Sequence, residues 1–376
     1  MTITDNGIRT APDPAPALPA PPARPDGDRL HMLDVLRFAA ALSVVAFHVV
    51  PMVGFVYGVN VDSYLGHVVA QASRYGWMGV PAFFVISGFV ICMSSWGRRL
   101  SQFATSRAVR LLPAYVVAVL ITAAILTVSP TPGFNRPSFT QVLTNLTMLQ
   151  GLAGVPNLDT VYWTLLVEAK FYLLFAALVW AGLTYRRVVA FCGLWLVGAL
   201  LAQASDTRLL IELLEPKWAP LFVCGIVLYL VHRFGPNTLL WCMLAVSAIL
   251  SARSIEVAAA EHSKTDPIST PVALVLFAVS LAVLIGVALG WTRKVRWPGT
   301  ATLGALTYPL YLLHFHVVFL ALRLGHGHLP GWLLLAGSLA GVLLLSYLVH
   351  RLVERPGSQA FRRGLKHAFE QLATRR

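Results

Sequence analysis

Several ionisable residues stand in stretches otherwise built of Leu, Val, Ala and Phe. Asp34, Arg37 and His48 share one such run. Asp34 and Arg37 are three residues apart, close enough to pair on a helix. Arg37 and His48 are eleven apart, almost three whole turns, so both leave a helix on one face, ~16 Å from each other at ~1.5 Å per residue. A neutral imidazole is tolerated among apolar side chains and titrates near neutrality, which suits it to take a proton from a hydroxyl. The plainer alternative is that Asp34 and Arg37 mark the helix entry and His48 bonds a neighbouring helix.

Glu168 and Tyr172, four residues apart, share a second face. Glu168 suits either a reaction site or a structural pairing with a buried cation. Lys170 points elsewhere and is expected to snorkel or to pair with another helix. Arg107 and Arg110 lie one turn apart just before an apolar run. They read either as an orientation signal drawn to anionic headgroups or as a cradle for phosphate oxygens. An ionisable group at membrane depth costs at least ~2–3 kcal/mol, so each of the intramembrane groups needs a partner or a task.

The elements that must position these residues follow from composition. Of 376 residues 57% are hydrophobic and only 12% charged, where a soluble domain carries roughly 25% charged. Mean hydropathy is +0.70. Apolar runs long enough to cross ~30 Å of hydrocarbon recur along the chain. They lie near 33–56, 76–96, 111–129, 158–182, 188–204, 217–232, 238–252, 271–291, 303–323 and 332–352. With both ends cytoplasmic, twenty of the 29 Lys and Arg fall on the inner side, in clusters such as Arg98–Arg99, Arg186–Arg187 and Arg293–Lys294. Seven fall outside (Arg74, Arg136, Arg208, Lys217, Arg253, Lys264 and Arg323), and Arg37 and Lys170 lie within spans. That asymmetry obeys the positive-inside rule. The fold class is therefore all-α: a polytopic transmembrane bundle of about ten helices with both termini cytoplasmic.

The net charge of +13 would suit nucleic acid, but the basic residues sit in short clusters between spans, so membrane lipids are the expected partner and nucleic acid is not. Residues 1–30, rich in Pro and Ala, read as a disordered cytoplasmic tail without the apolar core of a cleavable signal. Residues 31–356 read as the transmembrane domain, and 357–376 as a basic cytoplasmic tail. Cys92, Cys192, Cys224 and Cys242 fall in or beside spans and read as small core residues without metal-ligand spacing. No metal site is expected.

Six blocks in order resemble the acyltransferase 3 family. Arg37 to His48, ten residues intervening, resembles its arginine-to-histidine signature. Phe83-Phe84-Val-Ile-Ser87-Gly88-Phe89 looks like its aromatic-then-Ser-Gly-Phe block. Phe103 through Arg107, Arg110, Pro113 and Tyr115 resemble its basic stretch. Glu168-Ala-Lys-Phe171-Tyr172, Tyr308-Pro-Leu-Tyr311-Leu-Leu-His314 and Glu354-Arg355-Pro356 match its later blocks. One departure is Ala169-Lys170, where the family often has a second acid and a Gln.

The resemblance implies an acyl-CoA-dependent membrane O-acyltransferase. It would move an acyl group, commonly acetyl, from the cytoplasmic thioester to a hydroxyl of a surface polysaccharide or glycolipid, or of a small secondary metabolite. It implies His48, Arg37 and Glu168 as catalytic, and Asp34, Ser87, Arg107, Arg110, Tyr172, Tyr311 and His314 as substrate-binding. Acyl-CoA would be a donor substrate rather than a bound cofactor. The cell inner membrane is the expected location, with envelope polysaccharide machinery or a homo-oligomer as partners. From the residues alone, a proton-coupled transporter and a scaffold subunit remain as rivals.

Overall fold

The computed structural model describes residues 30–264, 267–295 and 297–357. The two tails expected at 1–30 and 357–376 lie, apart from Leu30 and Gly357, outside the described residues. The chain runs as α1 (His31–Tyr57), α2 (Val61–Tyr64), α3 (His67–Arg74), α4 (Gly79–Ser95), α5 (Leu100–Val128), α6 (Phe139–Leu146) and α7 (Trp163–Ala181). It continues as α8 (Tyr185–Ser205), α9 (Arg208–Leu214), α10 (Ala219–Phe234), α11 (Thr238–His262), α12 (Thr270–Leu289), α13 (Thr300–Gly325) and α14 (Gly331–Val349). No strand occurs among the described residues. Among the described residues, ten helical segments are long and apolar enough to cross a membrane, and each corresponds to one run expected from hydropathy.

Two boundaries differ in an informative way. The third span does not begin at 111: α5 starts at Leu100 and continues unbroken for 29 residues. Arg107 and Arg110 thus sit inside the spanning helix, partly buried, instead of preceding it. The seventh span does not end at 252, because α11 runs on to His262. Its last stretch is rich in Ala and Glu, which favour helix without being apolar enough to register as membrane. Hydropathy marks the hydrocarbon, whereas helix propensity carries the backbone beyond it.

Two helix pairs organise the bundle. In the first, α4 and α10 interlock through glycine: a Cβ on Gly88 would fall 2.1 Å from the Phe222 carbonyl oxygen, and one on Gly225 1.9 Å from that of Val85. Small residues let backbones approach this closely in membranes, where packing rather than a hydrophobic force joins helices. Every residue of α10 from Ala219 to Val231 is buried. Phe171 on α7 stacks on Phe222 with ring centroids 4.3 Å apart, extending this core outward.

The second pair is α1 with α13. His31 meets Thr300 across it, Nδ1 to Oγ1 at 2.6 Å. Asp34 packs against Gly304, where a Cβ would fall 2.2 Å from its Oδ1. Asn145 organises the connection ahead of α7. Buried itself, it accepts from the Leu158 N–H at 3.0 Å and donates to the carbonyls of Gln141 and Pro156. Three cysteines are buried as expected; Cys242 is the exception, exposed on the rim of α11.

Candidate functional site

The two pairs meet along a polar seam. Arg37 of α1, Ser87 of α4, Glu168 of α7 and Tyr308 of α13 stand in the walls of two adjoining cavities. One, of about 60 Å³, reaches toward Phe83, Thr164, Thr307 and Tyr311. The other, of about 30 Å³, reaches toward Arg107, Arg110 and Tyr172. Five helices, α5 with its two arginines among them, therefore place seven of the residues singled out above around these two adjoining cavities.

Hydrogen bonds hold Glu168 in place. Ser87 Oγ donates to its Oε1 at 2.9 Å, and the Tyr172 hydroxyl donates to the same oxygen at 2.5 Å. Two donors converging on one oxygen fix the orientation of the carboxyl group. The four-residue spacing of Glu168 and Tyr172 puts the phenol one turn along, within reach. Arg107 lies against hydroxyls, with Nη2 3.3 Å from Ser94 Oγ and Nε 3.2 Å from Ser106 Oγ. Lys170, pointing away from the seam, pairs with Glu212 and Glu215 at 2.8 and 2.7 Å. It joins another helix, the second of the two outcomes expected for it.

His48 and His314 form a separate unit beyond Tyr311. Their Nδ1 and Nε2 atoms are 3.0 Å apart, with the rings stacked at 5.2 Å and 26°. His48 lines neither cavity, although Arg37 on the same helix lines both. Tyr311 stands between: its hydroxyl is 2.8 Å from Thr164 Oγ1 in the cavity wall, and its ring centroid is 6.1 Å from that of His314. Asp34 also lines neither cavity and instead packs on α13.

Some wall residues were not among the expected site residues. Tyr308 opens the block that holds Tyr311 and stands three residues before it, on the same face; its hydroxyl donates to the Leu111 carbonyl at 3.2 Å. Thr164 and Thr307 are ordinary helix threonines until the bundle closes on them. Beyond the seam, a buried pair joins Asp159 and His316, Oδ2 to Nε2 at 3.7 Å. Burial pushes the Asp159 carboxyl up to about 7, against the pull of the Val161 N–H. Nothing local links two residues so distant in the chain.

The chain is 26% identical over 371 residues to acyltransferase MdmB of Streptomyces mycarofaciens, covering 87% of this chain and 91% of that protein. It is 27% identical to the exopolysaccharide production protein ExoZ of Rhizobium meliloti, covering 77% and 93%. It is 26% identical to nodulation protein 10 of Rhizobium leguminosarum bv. viciae, covering 74% and 81%. No solved structure matches. The family model described as an acyltransferase domain matches residues 30–351. With that match spanning most of its length, the chain belongs to the acyltransferase 3 family and is a multi-pass membrane acyltransferase.

Proposed function

We propose that this membrane acyltransferase moves an acyl group, acetyl in the simplest case, from cytoplasmic acyl-CoA to a hydroxyl of a surface polysaccharide or glycolipid. The observation that carries this reading is the polar lane of two cavities that share Arg37, Ser87, Glu168 and Tyr308. It runs from two arginines to Tyr311, beside the histidine pair. Guanidinium groups match phosphate oxygens in charge and shape, which suits Arg107 and Arg110 to the nucleotide end of the donor. Arg37, which lines both cavities, suits a polar or phosphate group of the donor further along the lane.

In the proposed reaction the His48 imidazole takes the proton of the acceptor O–H while that oxygen bonds the thioester carbonyl carbon. The C–S bond then breaks, its electron pair goes to sulfur, and the proton on His48 passes to the leaving thiolate. The products are an ester and free CoA. The glycan acceptor draws support from the relative named for exopolysaccharide production. The same proposal sets the protein in the cell inner membrane with both ends cytoplasmic, following the distribution of Lys and Arg.

The decisive experiment compares surface polysaccharide from wild-type, deletion and complemented strains by mass spectrometry. Loss of one acyl mass on deletion, restored by the wild-type gene and not by His48→Ala, is the expected result. An unchanged polysaccharide overturns the glycan acceptor, and an acyl group lost from a secreted small molecule instead would reassign it. Restoration by His48→Ala overturns the role of the imidazole.

A further inference from the structure

We propose that His314 is a positioning residue: it fixes which ring nitrogen of His48 carries hydrogen and leaves the other as the free base. The purpose of this arrangement rests on the acyl-transfer reading above; its geometry does not.

A neutral imidazole has one N–H donor and one bare nitrogen. Nδ1 of His314 lies 2.9 Å from the Tyr311 carbonyl oxygen and 3.2 Å from that of Leu310. A carbonyl oxygen can only accept, so this Nδ1 carries the hydrogen. Nε2 of His314 is then bare, and it faces Nδ1 of His48 at 3.0 Å. His48 must donate across that contact, which leaves its own Nε2 with a free lone pair. A cationic His314 would reverse the assignment, but its ring is 0% exposed, and a buried charge at membrane depth is costly.

Nε2 of His48 hydrogen-bonds no described residue. The His48 ring keeps partial exposure, framed by Phe47 at 5.1 Å and Phe315 at 5.4 Å between centroids. The one nitrogen able to take a proton is thus the one that hydrogen-bonds no described residue.

The relay balances through a full turnover. The acceptor proton moves to Nε2 of His48 as the new C–O bond forms, and the ring becomes a cation with N–H at both nitrogens. Its Nδ1–H bond to His314 becomes charge-assisted and strengthens. When the C–S bond breaks, the Nε2 proton leaves with sulfur and His48 returns to its starting tautomer. His314 keeps its own hydrogen throughout. The role is that of the orienting member of a catalytic triad, filled here by a second, neutral imidazole. A neutral orienter avoids placing a carboxylate at membrane depth.

The test uses full-length protein labelled with 15N-histidine in lipid nanodiscs, with the His48 resonances assigned by their absence in His48→Gln. At neutral pH the wild-type spectrum is expected to show His48 protonated on Nδ1 and bare on Nε2. His314→Leu should scramble the tautomer and lower kcat on the order of 10–100-fold, with the KM for acetyl-CoA held. His314→Gln, whose amide oxygen can accept where Nε2 did, should restore the tautomer and most of the rate. Hydrogen on Nε2 of His48 in the wild type, or a wild-type kcat in His314→Leu, overturns the proposal. Should the Leu variant fail to fold, the wild-type spectrum and the Gln variant still decide. A wild-type protein with the expected tautomer that moves no acyl group from acetyl-CoA would support the positioning claim and overturn the donor assignment.

Discussion

The helix pair α4–α10 and the helix pair α1–α13 are both central to the bundle, yet they are built on opposite plans. From Ala219 to Val231, α10 is buried on every side and carries no ionisable side chain except Cys224 and Tyr229. Its partner α4 meets it glycine to backbone, with no room for a single added carbon at Gly88 or Gly225. By contrast α1 carries Asp34, Arg37 and His48, and α13 carries Tyr308, Tyr311, His314 and His316. Arg37, Tyr308 and Tyr311 look onto the cavities, His48 and His314 onto each other, and His316 onto Asp159. Depth in the bundle is the same kind of place for both pairs. What separates them is whether packing or hydrogen bonding uses up the space, and the lane for chemistry opens where packing leaves off.

The contrast can be broken most severely at Gly225. Gly225→Leu forces a side chain into the Val85 carbonyl oxygen, and no rotamer relieves a clash with backbone. No monodisperse protein is expected on size-exclusion chromatography, and a well-behaved variant would refute the description of α4–α10 as a closed seam. His48→Ala should leave the protein folded and lower the acyl-transfer rate by about 10²–10⁴-fold, the usual worth of a general base. Measured turnover equal to wild type would remove His48 from the reaction.

A smaller, more diagnostic effect is expected at the basic end of the lane. Arg107→Ala or Arg110→Ala should raise the KM for acyl-CoA by about tenfold, ~1.4 kcal/mol of binding, while kcat changes less. An unchanged KM in both would return them to topology signals.

The subtlest test concerns Asp159, whose Oδ2 is buried without a hydrogen-bond partner. Its carboxyl is raised from the ordinary 3.8 to about 7 by burial, so between those values the folded protein holds a proton that the unfolded chain has lost. Stability should therefore fall as pH rises through that window and level off above it. Thermal denaturation of Asp159→Asn over the same range should show a shallower slope; an identical slope would mean that another group sets it.

Much of this was legible from residue types. Ten spans could be read because hydrocarbon thickness demands long apolar runs, and the seam could be read because charges in such runs are costly. Arg37, Ser87, Glu168, Tyr172, Arg107 and Arg110 do surround the two adjoining cavities. The start of α5 was not legible, since helical backbone runs past the apolar stretch that announces it. The separation of His48 from the cavities was equally hidden. Helical phase puts Arg37 and His48 on one face, but whether that face meets a cavity or a second histidine is decided by α13. The Asp159–His316 pair and the walls at Thr164 and Thr307 are products of assembly, with no local period to betray them.

The enclosure of α10 has a consequence for biogenesis. A segment that touches only protein in the finished molecule must still leave the translocon into lipid, and its apolar surface permits this at every angle. Once there, it has no lipid-facing side to retain, so its neighbours close over it from all directions. Assembly must therefore gather around α10 early: a helix admitted last would need the ring already formed to reopen.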